Sequence, residues 1–418
     1  MRPADFVLLH ARELITCAGP APRRGTDQAR VERVVDGAFA AFEGRIVFAG
    51  PSDALAQHVV PIANAEIHEV RDCTVLPGFV DPHTHAMFAG DRRGELRRRL
   101  AGETYAQIAA SGGGILETVL ATRAADVPTL IAETRLRLDE MLACGTTTCE
   151  IKSGYGLDVE TELKMLRAIA AVGSAHPMSI SATFLGAHEV PPEYRDRRSQ
   201  YVDLVCHEMI PAVAVEKTAE WCDVFCEAGV FTPEESRRIL EAGLRAGLGA
   251  RVHADELGAS GGSFVAAAVR ARSADHLVFV PEAGIDAMAQ ADVTATLLPV
   301  ATFYLKLGRF APARALMGRG VPVAFATDVN PGGGFSPSMP FAMALACFNM
   351  GLTLEEALTA ATINAAWSLD RAAEIGSLEP GKLADAVVVS GDVVNLLRVG
   401  VNAIQAVIKK GRVVHGRL

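Results

Sequence analysis

The stretch Thr74-Val75-Leu76-Pro77-Gly78-Phe79-Val80 is an apolar run typical of a β-strand, and Asp81-Pro82-His83-Thr84-His85 follows it directly. Further apolar runs come later in the chain, with amphipathic helical segments between most of them. The eight predicted strands are Thr74–Val80, Thr146–Ile151, Ile180–Leu185, Cys222–Cys226, Gly249–His253, Ser273–Leu277, Val293–Leu298 and Pro322–Thr327. Strands that alternate with helices over roughly 300 residues predict an α/β fold, a (β/α)8 TIM-like barrel. A doubly wound open sheet is the alternative, but its Gly-x-Gly-x-x-Gly signature does not follow the first strand.

Short β-type runs lie at both ends of the chain. They are Phe6–Leu9 and Gly44–Gly50 near the start, and Ala384–Val389 and Ala406–Val414 near the end. Neither end is long enough to bury a good core alone. We therefore expect residues 1–70 and 381–418 to form one small β-sandwich domain beside a barrel of residues 71–380. Two unrelated β appendages are the alternative.

Composition excludes several classes of protein. Half of the 418 residues are hydrophobic and 21% are charged, which is typical of a globular chain and not of a disordered one. The net charge of -9 and the absence of a long basic run argue against nucleic acid as a partner. The start lacks signal-peptide architecture, and the apolar runs are shorter than the roughly 18 residues of a membrane span. Eight cysteines without a framework spacing predict reduced thiols in a cytoplasmic protein.

Chemically capable side chains follow most of the predicted strands. Because the carboxyl ends of barrel strands form the active-site face, we expect these side chains to converge on one mouth. Solvated loop polarity is a competitive alternative for any single one of them, but a weak one for the whole set. The segments are Asp81–His85, Glu150–Tyr155, Gly186–His188, Glu227, His253–Glu256, Asp275–His276 and Thr327–Asn330.

Four of these side chains are candidate metal ligands. His83 and His85 are two residues apart, so both imidazoles of an extended segment point to the same side. His253 and Asp328 end two later strands. Three nitrogens and one oxygen suit Zn²⁺, and also Fe²⁺ or Mn²⁺. Such a set leaves a position for a water molecule, which the metal would activate.

Two further residues are candidates for proton transfer. Glu256 lies three residues after His253, and His276 ends the next strand, so either could move a proton to a leaving nitrogen. The alternative for His276 is that it orients a metal ligand. Lys152 could be carbamylated and bridge two metals, but we favour a structural ion pair with Glu150.

Other side chains are candidates for binding a substrate. Arg92 follows the histidine pair closely and could receive a carboxylate through a bidentate fork. Tyr155 and His188 could hydrogen-bond beside a flat ring, although Tyr155 taken alone could equally be an ordinary rim residue. We expect Arg93 and the run Arg97–Arg99 to form a solvated helix face.

Two segments, Pro77–His85 and Glu379–Asp385, resemble the opening and closing signatures of the metal-dependent amidohydrolase superfamily. Within it the chain is similar to the imidazolonepropionase family, and the matching segments span nearly the whole chain in order. They are Ser111–Ile115, Glu150–Asp158, Phe184–His188, His253–Glu256, Ser273–Leu277 and Thr327–Gly332.

This resemblance implies a barrel with a β-sandwich from both termini, one Zn²⁺ or Fe ion per chain, and a homodimer. It also implies hydrolysis of 4-imidazolone-5-propanoate to N-formimidoyl-L-glutamate in histidine degradation. Another small cyclic amide, an aminohydrolase reaction and a non-catalytic metal-binding barrel are the alternatives. The implied ligands are His83, His85, His253 and Asp328; the implied substrate contacts are Arg92, Tyr155, His188, Glu256, Asn330, Gly332 and Gly333.

The implied catalytic residues are Glu256, His276 and Asp328, and which of them is the working base stays open. Asp328 could take a proton from water while it remains a ligand. The sequence departs from the family pattern at Gly333, where a hydroxyl residue is usual, and at Val329, where Phe is usual. Only a backbone contact survives at Gly333 unless Ser336 substitutes.

Overall fold

The computed structural model describes residues 1–104, 107–108 and 111–418. Its strands fall into two sheets, one from the middle of the chain and one from both of its ends. In chain order the strands are β1 (Arg2–Ile15), β2 (Arg33–Phe42), β3 (Arg45–Pro51), β4 (Val59–Glu69), β5 (Cys73–Pro77), β6 (Phe79–Asp81), β7 (Thr146–Lys152), β8 (Ser179–Ala187), β9 (Trp221–Cys226), β10 (Gly249–Ala254), β11 (Ser273–His276), β12 (Thr294–Leu297), β13 (Val323–Phe325), β14 (Ala386–Ser390), β15 (Ile404–Lys409) and β16 (Arg412–Gly416).

Strands β6 to β13 form the predicted parallel barrel. Each pairs in parallel with the next in chain order, from β6–β7 through β12–β13. The segments that follow the first and last of these strands complete the ring: the Asp328 amide donates to the His83 carbonyl at 3.1 Å, and the His85 amide donates to the Val329 carbonyl at 2.9 Å. The residues that follow β6 and β13 therefore meet at one seam.

Helices connect the barrel strands and pack around them. The helix at Pro233–Arg245 begins with a capping box, in which Thr232 and Glu235 satisfy each other's backbone amides, and it buries Ile239 and Leu240. Among the described residues, no helix is long and apolar enough to cross a membrane. The α-helices are Leu55–His58, Arg93–Leu100, Ile115–Ala124, Val127–Ala143, Val159–Ala175, Arg198–Leu204, Ile210–Glu216, Pro233–Arg245, Gly262–Val269, Glu282–Ala291, Pro299–Leu305, Ala313–Gly318, Met339–Asn349, Leu354–Ala361 and Ile363–Ser368.

The two ends of the chain build a separate mixed sheet. Its order is β16-β15-β14-β5-β1-β2-β3, and β4 pairs with β1. The predicted runs at both termini lie in its strands, whereas β2 and β4 were not predicted. Most side chains of β4 are exposed, so its sequence lacks the apolar alternation that marks a half-buried strand. The predicted domain limits, 1–70 with 381–418 and 71–380, stay a prediction.

The first predicted barrel strand, Thr74–Val80, is in fact divided between the two sheets. Strand β5 pairs antiparallel with β14, and the chain then passes through Gly78 into β6 of the barrel. The Gly78 amide donates to the Asp385 carbonyl, and the Phe79 amide donates to the Gly145 carbonyl, both at 3.0 Å. Every residue of β5 and β6 is buried, so the apolar pattern gives no sign of the change of sheet.

Candidate active site

A cavity lies at the carboxyl ends of the barrel strands, where the sequence predicts the site. Eleven of the twelve predicted site residues line this cavity. The exception is His83, whose side chain is fully buried. Ile115, Phe225, Leu257 and Leu305 also line the cavity and were not predicted. The lining residues are His85, Arg92, Ile115, Tyr155, His188, Phe225, His253, Glu256, Leu257, His276, Leu305, Asp328, Asn330, Gly332 and Gly333.

The side chains of His83, His85 and Asp328 form a compact cluster that fits a metal ion. The Asp328 Oδ1 atom lies 3.7 Å from His83 Nε2 and 3.6 Å from His85 Nε2. His85 Nε2 lies 3.2 Å from His253 Nε2. Both His83 Nε2 and Asp328 Oδ1 are buried without a hydrogen-bond partner, a costly arrangement that a shared cation would relieve. The nitrogens of His83 and His253 also group with one of His276 within 4.8 Å.

Buried carboxylates orient two of these imidazoles. His83 Nδ1 lies 2.6 Å from Asp275 Oδ2, and His253 Nδ1 lies 3.1 Å from Asp223 Oδ2. A carboxylate at Nδ1 holds the proton there and leaves Nε2 as the ligand atom. Arg251, which is fully buried on β10, donates to Asp275 at 3.3 Å. Asp275 was expected at the mouth but without a role as a partner of His83, and Asp223 and Arg251 were not predicted at all.

Burial changes the proton affinity of the cluster. It lowers the pKa of His83 and of His85 well below the ordinary value, so both imidazoles are neutral, the form that binds metal. Burial also raises the pKa of Asp328 to about 7. The pKa of Glu256 is raised well above its usual range by burial and then by the charges of Asp328 and Glu227. Glu256 Oε1 lies 3.5 Å from His276 Nδ1.

Lys152 forms the ion pair with Glu150 that the sequence analysis favoured. Its Nζ atom lies 2.8 Å from Glu150 Oε1 and also 2.8 Å from Asp223 Oδ2, and all three side chains are fully buried. Burial lowers the pKa of Lys152, but the charges of Asp223 and Glu150 outweigh it, so the pKa is raised overall. Lys152 thus stays a cation with two carboxylate partners.

Tyr155 and His188 form an aromatic wall of the cavity. Their ring centroids lie 5.2 Å apart, and His188 stacks on His85 at 4.9 Å. Burial lowers the pKa of His188 to about 3, so the ring is neutral. Its Nδ1 atom lies 2.9 Å from the Gly154 carbonyl and therefore carries the proton. The other nitrogen of His188 is then an acceptor.

Arg92 also lines the cavity, where its guanidinium makes a two-point contact with the Glu95 carboxylate. Its Nε and Nη2 atoms donate to the two oxygens of Glu95 at 3.0 and 2.8 Å. The expectation that the whole run Arg97–Arg99 is a solvated face was wrong for Arg99, which is buried and donates to the Gly332 carbonyl. The helix Arg93–Leu100 places Glu95 and Arg99, four residues apart, on one face, where they contact the cavity residues Arg92 and Gly332.

The side chain of Asn330 is engaged within its own loop. Its Oδ1 accepts from the amides of Gly332 and Gly333 at 2.8 and 2.5 Å, and its Nδ2 donates to the Asp328 carbonyl at 2.7 Å. These groups therefore shape the loop between Asp328 and Gly334. Substrate contact by Asn330, Gly332 and Gly333 stays a prediction.

Comparison with known proteins agrees with this geometry. Residues 74–415 match the model of the amidohydrolase family. Among curated relatives, the imidazolonepropionase of Symbiobacterium thermophilum is 48% identical over 417 residues, which are 99% of this chain and 98% of that protein. The imidazolonepropionase of Haloarcula marismortui is 47% identical over 416 residues, 99% and 97% of the two chains.

Solved structures share the fold at much lower identity. Guanine deaminase of E. coli superposes with a TM-score of 0.74 and 18% identity, covering 99% of this chain and 100% of that one. A zinc-bound adenosine deaminase from Xanthomonas campestris superposes with a TM-score of 0.70 and 19% identity, covering 99% and 93%. Similarity at this level of identity concerns the fold alone.

Proposed function

Because this chain belongs to the amidohydrolase family and, within it, to the imidazolonepropionases, we propose that it hydrolyses 4-imidazolone-5-propanoate to N-formimidoyl-L-glutamate, a step of histidine degradation. Identities of 43–48% over nearly the whole chain support this substrate. The observation that carries the proposal is a single cavity lined by three of the four proposed metal ligands, by the buried carboxyl group of Glu256 and by the guanidinium of Arg92.

The metal centre of this proposal is one Zn²⁺ or Fe ion per chain, held by His83, His85, His253 and Asp328. The two unpartnered buried atoms, His83 Nε2 and Asp328 Oδ1, support it. When bound, an ion of this kind would lower the pKa of a water molecule to about 7 and polarise a carbonyl. The carboxylates of Asp275 and Asp223 would keep the two imidazoles in the tautomer that binds metal.

Hydrolysis requires a new C–O bond to the ring carbonyl carbon and cleavage of the adjacent ring C–N bond. We propose that Asp328 would accept the proton of the attacking water, because its carboxyl group lies within the ligand cluster. Glu256 or His276, which are 3.5 Å apart in the cavity, would deliver a proton to the departing ring nitrogen. The raised pKa of Glu256 suits the donor role.

The rest of the cavity would orient the substrate. Tyr155 and His188 would flank the flat ring, with the acceptor nitrogen of His188 toward a ring N–H. Arg92 would bind the propanoate carboxylate, the only anionic part of the substrate, by a charge-assisted hydrogen bond. Glu95 holds the Arg92 side chain in place by a two-point contact.

We also propose a cytoplasmic homodimer. All eight cysteines are free thiols, which suits a reducing compartment. Sedimentation equilibrium of the purified protein tests the dimer.

The experiment for the function is a substrate panel followed by ultraviolet loss of the imidazolone chromophore. Turnover of 4-imidazolone-5-propanoate, with little turnover of other cyclic amides or of aminated purines, is the expected result. Turnover of a purine or of an unrelated cyclic amide in its place would identify a different hydrolase. Bound metal without any turnover would identify a non-catalytic barrel.

A further inference from the structure

A fully buried carboxylate outside the metal cluster holds one wall of the cavity. Glu162 lies on the helix Val159–Ala175, and the loop that joins β7 to this helix wraps around its side chain. Glu162 Oε1 accepts hydrogen bonds from the amides of Gly156 at 2.8 Å and Leu157 at 2.9 Å. The amide of Gly154 donates to both oxygens, at 3.2 and 3.0 Å.

Ser153, which begins this loop, joins it to the neighbouring strand. The Ser153 hydroxyl oxygen accepts the amide of Leu185 on β8 at 3.0 Å. The three partners of Glu162 are backbone amides, all of them donors, so a carboxylate with two acceptor oxygens satisfies them together. The loop sequence suits this close approach, because Gly154 has a φ of +100° and a Cβ at Gly156 would lie 2.9 Å from Glu162 Oε1.

The loop that Glu162 holds carries two groups of the cavity wall. Tyr155 lies between the two glycines whose amides Glu162 accepts, and it lines the cavity. The carbonyl of Gly154 accepts a hydrogen bond from the Nδ1–H group of His188 and so determines the tautomer and the ring orientation of His188. We propose that Glu162 is a positioning residue, which holds Tyr155 and His188 in the geometry that the substrate ring requires. This inference rests on the proposed function.

The test replaces Glu162 with Gln and compares it with Glu160→Gln in the same turn of the same helix, where the side chain is exposed. Glutamine replaces one acceptor oxygen with an NH2 group, which is a donor and cannot accept the backbone amides of the loop. The loop therefore loses one or two charge-assisted hydrogen bonds. We expect kcat/KM to fall about 10- to 100-fold in Glu162→Gln, with metal content unchanged, and to stay near wild type in Glu160→Gln. If Glu162→Gln does not fold, Glu162→Asp, which keeps the charge but shortens the side chain, should have a lower kcat/KM than Glu160→Asp, and equal values would overturn the proposal.

A double-mutant cycle with His188→Asn distinguishes a positioning role of Glu162 from a merely structural one. If Glu162 acts through the loop, Glu162→Gln costs much less in the His188→Asn background than in wild type. Additive losses, or a kcat/KM equal to that of Glu160→Gln, would overturn the proposal. Amide exchange at Gly154, Gly156 and Leu157 should also become faster in Glu162→Gln and not in Glu160→Gln.

Separate measurements test the proposed function and the positioning role of Glu162. If the wild type does not turn over imidazolone propanoate, the function is wrong, and the readout becomes calorimetric binding of imidazole-4-propanoate. A tenfold weaker affinity in Glu162→Gln than in Glu160→Gln then supports the positioning role. Equal affinities overturn it.

Discussion

Glu256 is the residue in the cavity whose surroundings most favour a proton donor. Its backbone amide donates to Glu227 Oε2 at 3.1 Å, which holds the residue in place, and its side chain lies 3.5 Å from His276 Nδ1. Burial and two nearby carboxylates raise its pKa, so the protonated form persists at higher pH than for an exposed Glu. The spacing from His253 made Glu256 a candidate from the sequence. The role of Glu227, which accepts the Glu256 amide, is visible only in the fold.

We predict that Glu256→Gln keeps its metal and loses turnover by roughly 10²–10⁴-fold, the usual range for a general acid–base group. Glutamine preserves the shape of the side chain but cannot transfer the proton. Steady-state kinetics with elemental analysis of the same sample measures both quantities, and His276→Asn is the comparison. A nearly wild-type Glu256→Gln beside an inactive His276→Asn would assign the proton to His276.

Adjacent glycines in the loop after Asp328 should respond differently to the same substitution. A Cβ at Gly332 would lie 2.5 Å from Arg92 Cζ, whereas a Cβ at Gly333 would lie 3.4 Å from Leu305, an ordinary contact. Gly332→Ala must therefore displace the guanidinium. We expect its KM for the propanoate substrate to rise about tenfold or more, the effect of one lost charge-assisted hydrogen bond.

Gly333→Ala is the matched control, and its KM should stay close to wild type. Gly333→Ser, which restores the hydroxyl usual in the family, should also be tolerated because the same space is open. A KM that rises equally in Gly332→Ala and Gly333→Ala would mean that the loop backbone, and not Arg92, is sensitive to substitution.

At the scale of elements, the change of sheet at Gly78 is the feature that periodicity could not predict. Strands β5 and β6 are separated by this single residue, and both are apolar and buried. The alternation of apolar and polar residues indicates which face of a strand is buried. Two successive strands that are buried on both faces show no alternation and are predicted as one strand. The division is visible only when the partners of each strand are known, β14 for the first and β7 for the second.

This junction predicts a stability effect at Gly78. A Cβ there would lie 2.4 Å from both the Cγ2 and the Oγ1 atoms of Thr147. We expect Gly78→Ala to lower the free energy of unfolding by about 1–3 kcal/mol, the usual cost of overpacking. Urea unfolding measures it, with Gly94→Ala as the control, since nothing lies within 4 Å of a Cβ at that exposed helical position. Equal stability of the two variants would contradict the steric argument.

At the scale of the whole molecule, the sequence predicted the barrel and the residues of its mouth because strand order alone brings strand ends together. His83, His253 and Asp328 are far apart in sequence but follow or end β6, β10 and β13. The charged layer beneath them could not be predicted in the same way. Asp275 and Arg251 lie on buried strands, and which charges pair inside a barrel depends on the register between strands.

The metal site also bears on how the barrel closes. Its proposed ligands come from the segments after β6 and β13 and from β10 across the ring, and the first two segments exchange backbone hydrogen bonds at the seam. A metal ion that binds only the folded chain stabilises it by about 2.7 kcal/mol when free metal is 100 times its Kd. Removing the ion should therefore weaken this seam more than any other strand pair.

We predict one tightly bound ion per chain, loss of activity on chelation and a lower Tm of the chelated protein. One ion is expected because Lys152 already supplies a cation between Glu150 and Asp223, where a second metal would need free ligands. Amide exchange should quicken at His85 and Asp328, whose amides bond across the seam, and not at the β7–β8 pairing. Chelator should leave the Tm of His83→Asn unchanged, since that variant lacks a ligand. Two ions per chain in elemental analysis would revive a carbamylated Lys152, and full activity after chelation would exclude a metal from the mechanism.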